Sequence, residues 1–297
     1  MSQVLHGAAD CVTEDAATAG SPREFAFTEA DFRNLAQFAY EHAGIALSDS
    51  KRNLVYSRLS RRLRVLGLTS FRQYRAHLAE NPSELEGFIN AISTNLTRFF
   101  REAHHFDHFR SHVAAPFAQA AHRAGNRRLR VWSAGCSTGE EPYTIAVVLE
   151  REIRDLKDHD ARILATDIDT EVIAKGIRGE YPVEAIEEVP KVYREQFQPA
   201  VGNRKSAHVV MSDAIRSLIT FGRLNLMEAW PLKGLFDAIF CRNVMIYFDG
   251  PTKAALVDRF TQQIKPGGWL YVGHSESLIG SHPGLQHFGR TIYRRDA

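Results

Sequence analysis

The chain has 297 residues, a formal net charge of +2, 44% hydrophobic and 24% charged residues, proportions of an ordinary soluble protein with room for one large domain or two smaller ones. Its three cysteines, Cys11, Cys136 and Cys241, are odd in number and widely spaced, which argues against a disulfide framework or a cysteine zinc site and suits a reducing cytosol. No signal-peptide pattern opens the chain and no apolar run nears the roughly 18–20 residues that cross a bilayer, so a cytoplasmic location is expected, with any membrane connection made through a partner.

Residues 1–24 are rich in Ala, Ser, Thr, Gly and acids without an apolar period and read as a disordered leader. A helical domain is expected over 25–92. Thr28 caps a first helix with Phe32, Leu35, Phe38 and Ala39 on one face. A second starts near Ser50, carries Leu54, Leu59, Leu63 and Leu66 inside and closes at Gly67. Two more follow at about 70–80 and 83–92, the latter opened by Pro82-Ser83. A linker and connecting helix take up 93–128 and end in the basic stretch Arg123-Ala-Gly-Asn-Arg-Arg128.

From 129 to 297 strands and helices alternate. Leu129–Ala134 reads as a strand, Glu141–Leu156 as a helix, and Arg162–Thr166 as a strand ending in Asp167-Ile-Asp169. Phe236–Phe240 is a strand, about 252–264 a helix, and Trp269–Val272 a strand after a Lys265-Pro-Gly-Gly turn. The alternation predicts an α/β domain whose mostly parallel sheet has helices on both faces. The rhythm breaks at about 180–220, where Pro182, Pro190, Pro199, the turn Gly202-Asn203-Arg204 and the β-rich Ala207-His-Val-Val-Met predict a small inserted hairpin subdomain.

The stretch Leu129-Arg-Val-Trp-Ser-Ala-Gly-Cys-Ser-Thr-Gly-Glu-Glu141 runs from an apolar strand through a small-residue turn to a pair of acids. A sheet of this kind offers a nucleotide-like cofactor a place at the carboxyl end of its first strand. Phosphates would be repelled by Glu140 and Glu141, and no phosphate-cradling Lys follows Thr138-Gly139. A cationic, phosphate-free cofactor fits, and S-adenosylmethionine is one. Asp167, at the end of the second strand, is placed to accept ribose hydroxyls; the bland alternative is a helix cap, which Asp169 or Thr170 supplies equally well.

In Phe236-Asp-Ala-Ile-Phe-Cys-Arg-Asn-Val-Met-Ile-Tyr-Phe248, the residues Cys241-Arg242-Asn243 should emerge beside the cofactor. The Asn/Asp-Pro-Pro turn of base-amine methylases is missing, and so is a Pro-Cys nucleophile. Cys241 reads as a buried thiol. In Ser93-Thr-Asn-Leu-Thr-Arg-Phe-Phe-Arg-Glu-Ala-His-His105 two arginines, Arg98 and Arg101, flank Phe99-Phe100. This linker suits either a capped helix start with solvated arginines or a lid that brings an arginine to a reaction centre.

With Thr-Asn-Leu-Thr-Arg-Phe-Phe-Arg-Glu, Ser-Thr-Gly-Glu-Glu-Pro-Tyr, Thr-Asp-Ile-Asp, Arg-Leu-Asn-Leu and Cys-Arg-Asn-Val-Met-Ile-Tyr-Phe in that order, the chain resembles the CheR-type chemotaxis methyltransferases over about residues 27–295. The resemblance implies a class I S-adenosylmethionine-dependent methyltransferase (Rossmann-like) sheet, an N-terminal helical domain and a small inserted antiparallel β-subdomain. It implies methyl transfer to glutamate side chains on the cytoplasmic helices of chemoreceptors, with S-adenosylhomocysteine as product. Family cofactor contacts carry over to Asn95, Thr97, Arg101, Glu141, Asp167, Asn225, Leu226, Arg242 and Asn243, and the residues nearest the methyl to Arg101 and Tyr247. Some members hold a receptor C-terminal tether by strand addition to the β-subdomain, where this chain has Gly202-Asn203-Arg204-Lys205.

Between Lys51 and Arg75 the chain has eight basic residues and no acid, with Arg58, Arg61 and Arg62 at i, i+3 and i+4. That face is either solvated or a dock for an acidic partner, and the resemblance favours the receptor over nucleic acid. His104, His108 and His112 form a helical stripe with no thiol or acid to complete a ligand set, so no metal is expected. A monomer is expected, without membrane insertion. Two other readings stay open: an RNA or DNA methyltransferase docking through the basic helix, and a non-catalytic receptor adapter.

Overall fold

The computed structural model describes residues 23–124, 128–200, 208–278 and 282–297. Residues 1–22 of the expected leader, and the turn at 202–205, lie outside them. Four helices come first: α1 (Glu29–Ala43), α2 (Arg52–Leu66), α3 (Phe71–Glu80) and α4 (Glu84–Ile92). Thr28 opens α1 with a reciprocal cap, its Oγ1 taking the Asp31 N–H while the Asp31 carboxylate takes the Thr28 N–H. Phe32, Leu35, Leu59, Leu63, Phe71 and Phe88 form the shared core. Leu54 is half-buried and turns towards a cleft instead of this core.

A continuous helical stretch follows, α5 (His104–Phe109), a π turn at Arg110–Ala114 and α6 (Ala115–Ala124). It lies on one face of the main sheet, with Phe106 and Phe109 packed on Phe240. Next in the chain come β1 (Arg128–Ala134), α7 (Glu140–Glu152), β2 (Asp160–Asp167) and α8 (Thr170–Arg178). Then β3 (Glu180–Pro182), β4 (Phe197–Pro199) and β5 (His208–Met211) form a separate antiparallel sheet in the order β3-β5-β4. After the short α9 (Asp213–Arg216), the main sheet resumes with β6 (Ile219–Arg223), β7 (Phe236–Cys241), α10 (Gly250–Gln263), β8 (Ile264–Val272), β9 (Leu285–His287) and β10 (Ile292–Arg295). The main sheet runs β6-β2-β1-β7-β8-β10-β9, parallel except for β10. Its order reverses between β1 and β7, and a crevice opens there above the carboxyl ends of the strands.

Three expectations need correcting. The insertion ends at Met211, and β6 is a main-sheet strand that the expected 180–220 block had partly absorbed. Helix α7 stops at Glu152 rather than Leu156, because Ile153 is extended and Asp155 is left-handed at φ 52°. The Lys265-Pro-Gly-Gly segment is not a turn before a strand. It lies inside β8 as a bulge, with Ile264 opposite Phe236 and Trp269 opposite Ala238, and Gly267 supplies the positive φ of 76°.

The helical part is tied to the sheet edge. Asn225 Nδ2 donates to the His42 carbonyl at 2.7 Å, and the Ala46 N–H donates to the Tyr247 carbonyl at 2.8 Å. Gly44, at φ 69°, allows this approach, since a Cβ there would sit 2.7 Å from Met227 Sδ. No helix among the described residues is long and apolar enough to cross a membrane.

Candidate active site

The crevice is a cavity of about 520 Å³ between the helical part and the carboxyl edge of the sheet. Every residue that the resemblance nominates for the cofactor, from Asn95 to Asn243, lines it, and so does Tyr247.

The turn after β1 alternates handedness, with Gly135, Ser137 and Gly139 at φ 89°, 48° and 99°. A Cβ on Gly135 would fall 2.2 Å from the Val244 side chain. The turn's N–H groups point inward. Gly135 and Cys136 donate to the Thr166 carbonyl at 2.8 and 2.9 Å, and Ser137 donates to Asp167 Oδ2 at 2.8 Å. A phosphate-cradling loop would present such groups to the ligand; here they are committed to the end of β2. Asp167 Oδ1 takes the Asp169 N–H at 3.1 Å. Burial pushes the Asp167 carboxyl up, and these backbone donors oppose the shift. The cap of α8 is Asp169, whose carboxylate takes the N–H groups of Glu171 and Val172 and the Asn95 amide at 2.6 Å. Asp167 is therefore not the helix cap.

Of the two acids after the turn, only Glu141 faces the cavity. Glu140 turns back to accept the Thr138 hydroxyl at 2.6 Å, so one carboxylate, rather than the expected repelling pair, faces the cavity. Glu141 takes Ser133 Oγ on one oxygen at 2.7 Å and Arg242 Nη1 on the other at 3.0 Å. Burial raises its pKa, against the pull of Arg242. Arg242 is itself buried. It also donates Nη2 to the Arg101 carbonyl and covers the Phe106 ring at 5.2 Å. It acts here as a clamp between β7, α7 and the lid segment.

The lid segment 93–103 roofs the cavity. Ser137 Oγ donates to the Asn95 carbonyl at 3.0 Å, Arg101 Nη1 donates to the Leu96 carbonyl at 2.8 Å, and Tyr247 Oη donates to the Thr94 carbonyl at 3.1 Å. Arg101 and Tyr247 thus both bond to the lid segment and line the same cavity. Thr97 and Leu226 also line the cavity. Asn225 uses both amide hydrogens on His42 and Glu228 and accepts the Met227 N–H, so it shapes the wall and has no donor left for a ligand.

One organising residue escaped the sequence reading. Glu276 is buried, and its carboxylate takes the N–H groups of Asn243 at 2.7 Å, Gly273 at 2.7 Å and Ile246 at 3.0 Å. It holds Asn243 in the left-handed region, φ 59°, and ties the tips of β7 and β8 together. The available signal was an acid just past β8, on the edge that carries the other site residues.

The basic face changes character. Arg58 Nη1 donates to the carbonyls of Ile92 and Ser93 at 2.7 Å each, and Arg62 Nε donates to buried Glu84 at 2.6 Å. Arg58 thus holds the last turn of α4 and Arg62 its first residue; Arg61 is the exposed member of the trio. The histidine stripe packs on β8, where His108 Nδ1 meets the Tyr271 hydroxyl at 3.0 Å and stacks on His112. Burial lowers the His108 pKa to about 4. An acid does approach the histidines: Glu102, His104 and His105 have ligand-type atoms within 4.8 Å of one another. Arg242 lies 3.5 Å from Glu102, however, and opposes a second cation there.

A family model described as the CheR methyltransferase SAM-binding domain matches residues 95–293, and one described as the CheR methyltransferase all-alpha domain matches residues 30–93. Chemotaxis protein methyltransferase 2 of Pseudomonas aeruginosa is 43% identical over 274 residues, 91% of this chain and 95% of that protein. The probable chemotaxis protein methyltransferase of Rhizobium etli is 43% identical over 259 residues, 86% of this chain and 96% of that one. The chemotaxis protein methyltransferase of Escherichia coli is 41% identical over 272 residues, 90% and 91% of the two chains.

Proposed function

The chain belongs to the CheR methyltransferase family, and from that premise we propose that it methylates glutamate side-chain carboxylates on the cytoplasmic helices of chemoreceptors. The products are glutamate methyl esters and S-adenosylhomocysteine, in chemotactic adaptation or a related sensory pathway. The observation that carries this reading is the pairing of two buried carboxylates, Glu141 and Asp167, with a turn whose N–H groups are already committed.

The residues suit S-adenosylmethionine. Asp167 takes the Ser137 and Asp169 N–H groups on separate oxygens, as Glu141 does Ser133 Oγ and Arg242 Nη1, and a carboxylate oxygen accepts two hydrogen bonds. The acceptor capacity left over suits ribose hydroxyls at Asp167 and the ammonium at Glu141, whose negative charge also attracts the sulfonium. Asn95, Thr97, Leu226 and Asn243 complete the walls. When bound, S-adenosylmethionine supplies an electrophilic methyl on a positively charged sulfur.

A glutamate carboxylate is ionised near neutral pH and needs no general base. The protein's part is alignment and removal of water from the nucleophile. Arg101 reaches the opening from the lid and orients the incoming carboxylate. Too tight an ion pair would reduce the nucleophilicity of that carboxylate, so orientation by a single arm fits better than a bidentate clasp; the other arm of Arg101 donates to the Leu96 carbonyl. Tyr247, fixed to Thr94, bounds the place where the methyl is exchanged. Arg61 offers charge to the acidic receptor surface. The protein acts as a cytoplasmic monomer, takes no metal and reaches the membrane only through its receptor.

Incubation with radiolabelled S-adenosylmethionine and either receptor-containing membranes or RNA tests the assignment. Label should enter receptor protein. Label in RNA instead would replace this reading, and cofactor binding without transfer to either would leave an adapter.

A further inference from the structure

We propose that Glu102 is a positioning residue for Arg101, acting through Arg242; this rests on the role given to Arg101 above. Arg101 sits between two non-glycine residues in the left-handed region, Phe100 at φ 52° and Glu102 at φ 57°. Side chains with a Cβ stay there only where neighbours fix them, and such strain gathers at working sites. Phe100 is fixed by its N–H on Thr144 Oγ1 at 3.2 Å and by its ring stacked on Tyr193 at 5.0 Å. On the other side the Arg101 carbonyl accepts from Arg242 Nη2, the same nitrogen that lies 3.5 Å from Glu102 Oε2.

The Arg242 guanidinium is thus held between two carboxylates, Glu141 at Nη1 and Glu102 at Nη2. Two opposed anions set the in-plane direction of a rigid fork, and that direction aims Nη2 at the Arg101 carbonyl. Without Glu102 the guanidinium is free to turn fully onto Glu141 and release the lid.

His105 does not compete for Glu102. The Thr291 hydroxyl donates to the Arg290 carbonyl, so His105 Nε2 faces two acceptors, that carbonyl at 3.0 Å and Thr291 Oγ1 at 3.2 Å, and must carry the proton. Burial and the Arg242 charge lower the His105 pKa to about 3, so the ring is neutral and presents a lone pair at Nδ1 towards Glu102, 3.5 Å away. Glu102 Oε2 and His105 Nδ1 accordingly have no hydrogen-bond partner among the described residues. Glu102 Oε1 is steadied by the His274 N–H at 3.3 Å. Burial pulls the Glu102 carboxyl up, but Arg242 and that N–H outweigh it and keep the group ionised.

Glu102→Gln keeps the shape and removes the charge. Turnover on receptor membranes should fall at least about tenfold, as expected for a catalytic group displaced by a fraction of an ångström, while S-adenosylhomocysteine affinity by calorimetry changes less than about threefold. In an Arg101→Lys background the same substitution should add less than about twofold, since its effect passes through Arg101. Glu102→Asp, charged but short, should give intermediate turnover, and it carries the measurement if Glu102→Gln does not fold. The proposal falls if Glu102→Gln turns over within about twofold of wild type, if affinity drops in step with turnover, or if the effect is undiminished beside Arg101→Lys. Normal turnover by Arg101→Lys and Arg101→Ala would instead overturn the role of Arg101 itself.

Discussion

Asp167 receives the Ser137 N–H at 2.8 Å, so the carboxylate at the tip of β2 both organises the turn after β1 and faces the cavity. An amide could accept from Ser137 or from Asp169 but would set its NH2 against the other donor. Asp167→Asn and Asp167→Ala should therefore each weaken S-adenosylhomocysteine binding at least about tenfold, because a charged hydrogen bond of this kind contributes roughly 1.5–3 kcal/mol. Isothermal titration calorimetry checks this. Affinity within twofold of wild type would separate the turn from the cofactor.

Arg101 is half-buried, and the hydrogen bond its side chain makes goes to the Leu96 carbonyl. Little packing depends on it. Arg101→Ala should lower turnover on receptor membranes by roughly 10²–10³, the range for losing one preorganised donor at a reaction centre, with a melting temperature within about 3 °C of wild type. A large fall in melting temperature with a small one in rate would mark the arginine as structural.

Removing Glu276 would leave three backbone N–H groups of the β7 and β8 tips without their acceptor. Each unsatisfied buried donor costs about 1–3 kcal/mol, so Glu276→Ala should lose roughly 3 kcal/mol or more in urea unfolding and lose cofactor affinity with it. Stability close to wild type would show that water replaces the carboxylate.

The three arginines of α2 should separate. Arg62→Ala strands Glu84, which is buried and left with the Tyr74 hydroxyl at 3.0 Å; breaking a buried pair costs about 3–5 kcal/mol, and the tyrosine lowers that to roughly 2–3. Arg58→Ala frees two carbonyls at the end of α4 and should also destabilise the fold. Arg61→Ala should leave stability alone and raise the KM for receptor. Unfolding curves beside steady-state kinetics for the three variants make the comparison.

His105 is neutral in the fold, with a pKa lowered to about 3 by burial and by Arg242, while in the unfolded chain it titrates near 6.5. Between these values the unfolded state binds more protons, so stability is complete above about pH 6.5 and falls as pH drops, by about 1.4 kcal/mol per unit for one site. His105→Gln, which can still donate to Arg290, should flatten the curve between about pH 4.5 and 6 by close to that slope. An unchanged slope would mean that the histidine is charged in the fold.

Much of this architecture is legible in the residues alone because it follows from local rules. The capping of α1 by Thr28, the alternation of strand and helix after residue 129, and the turn before Glu141 each depend on residues near in sequence. Strand β6 was lost because Ile-Thr-Phe-Gly-Arg is short and follows directly on the inserted sheet, so only its pairing with β2 reveals it. The site shows the same division. Residues within family motifs could be placed by resemblance, but Arg58 and Arg62 look like a docking face until α4 brings the Ile92 carbonyl and Glu84 to them. Glu276 could not be found from periodicity, because three N–H groups from two separate strand tips define its role.

The chemical identity of the labelled product decides the matter. Receptor membranes labelled from radioactive S-adenosylmethionine by this protein should carry the label as a carboxyl ester on glutamate, released as volatile methanol by mild alkali. Label that withstands alkali, or that stays on a nitrogen or on nucleic acid, would contradict glutamate O-methylation.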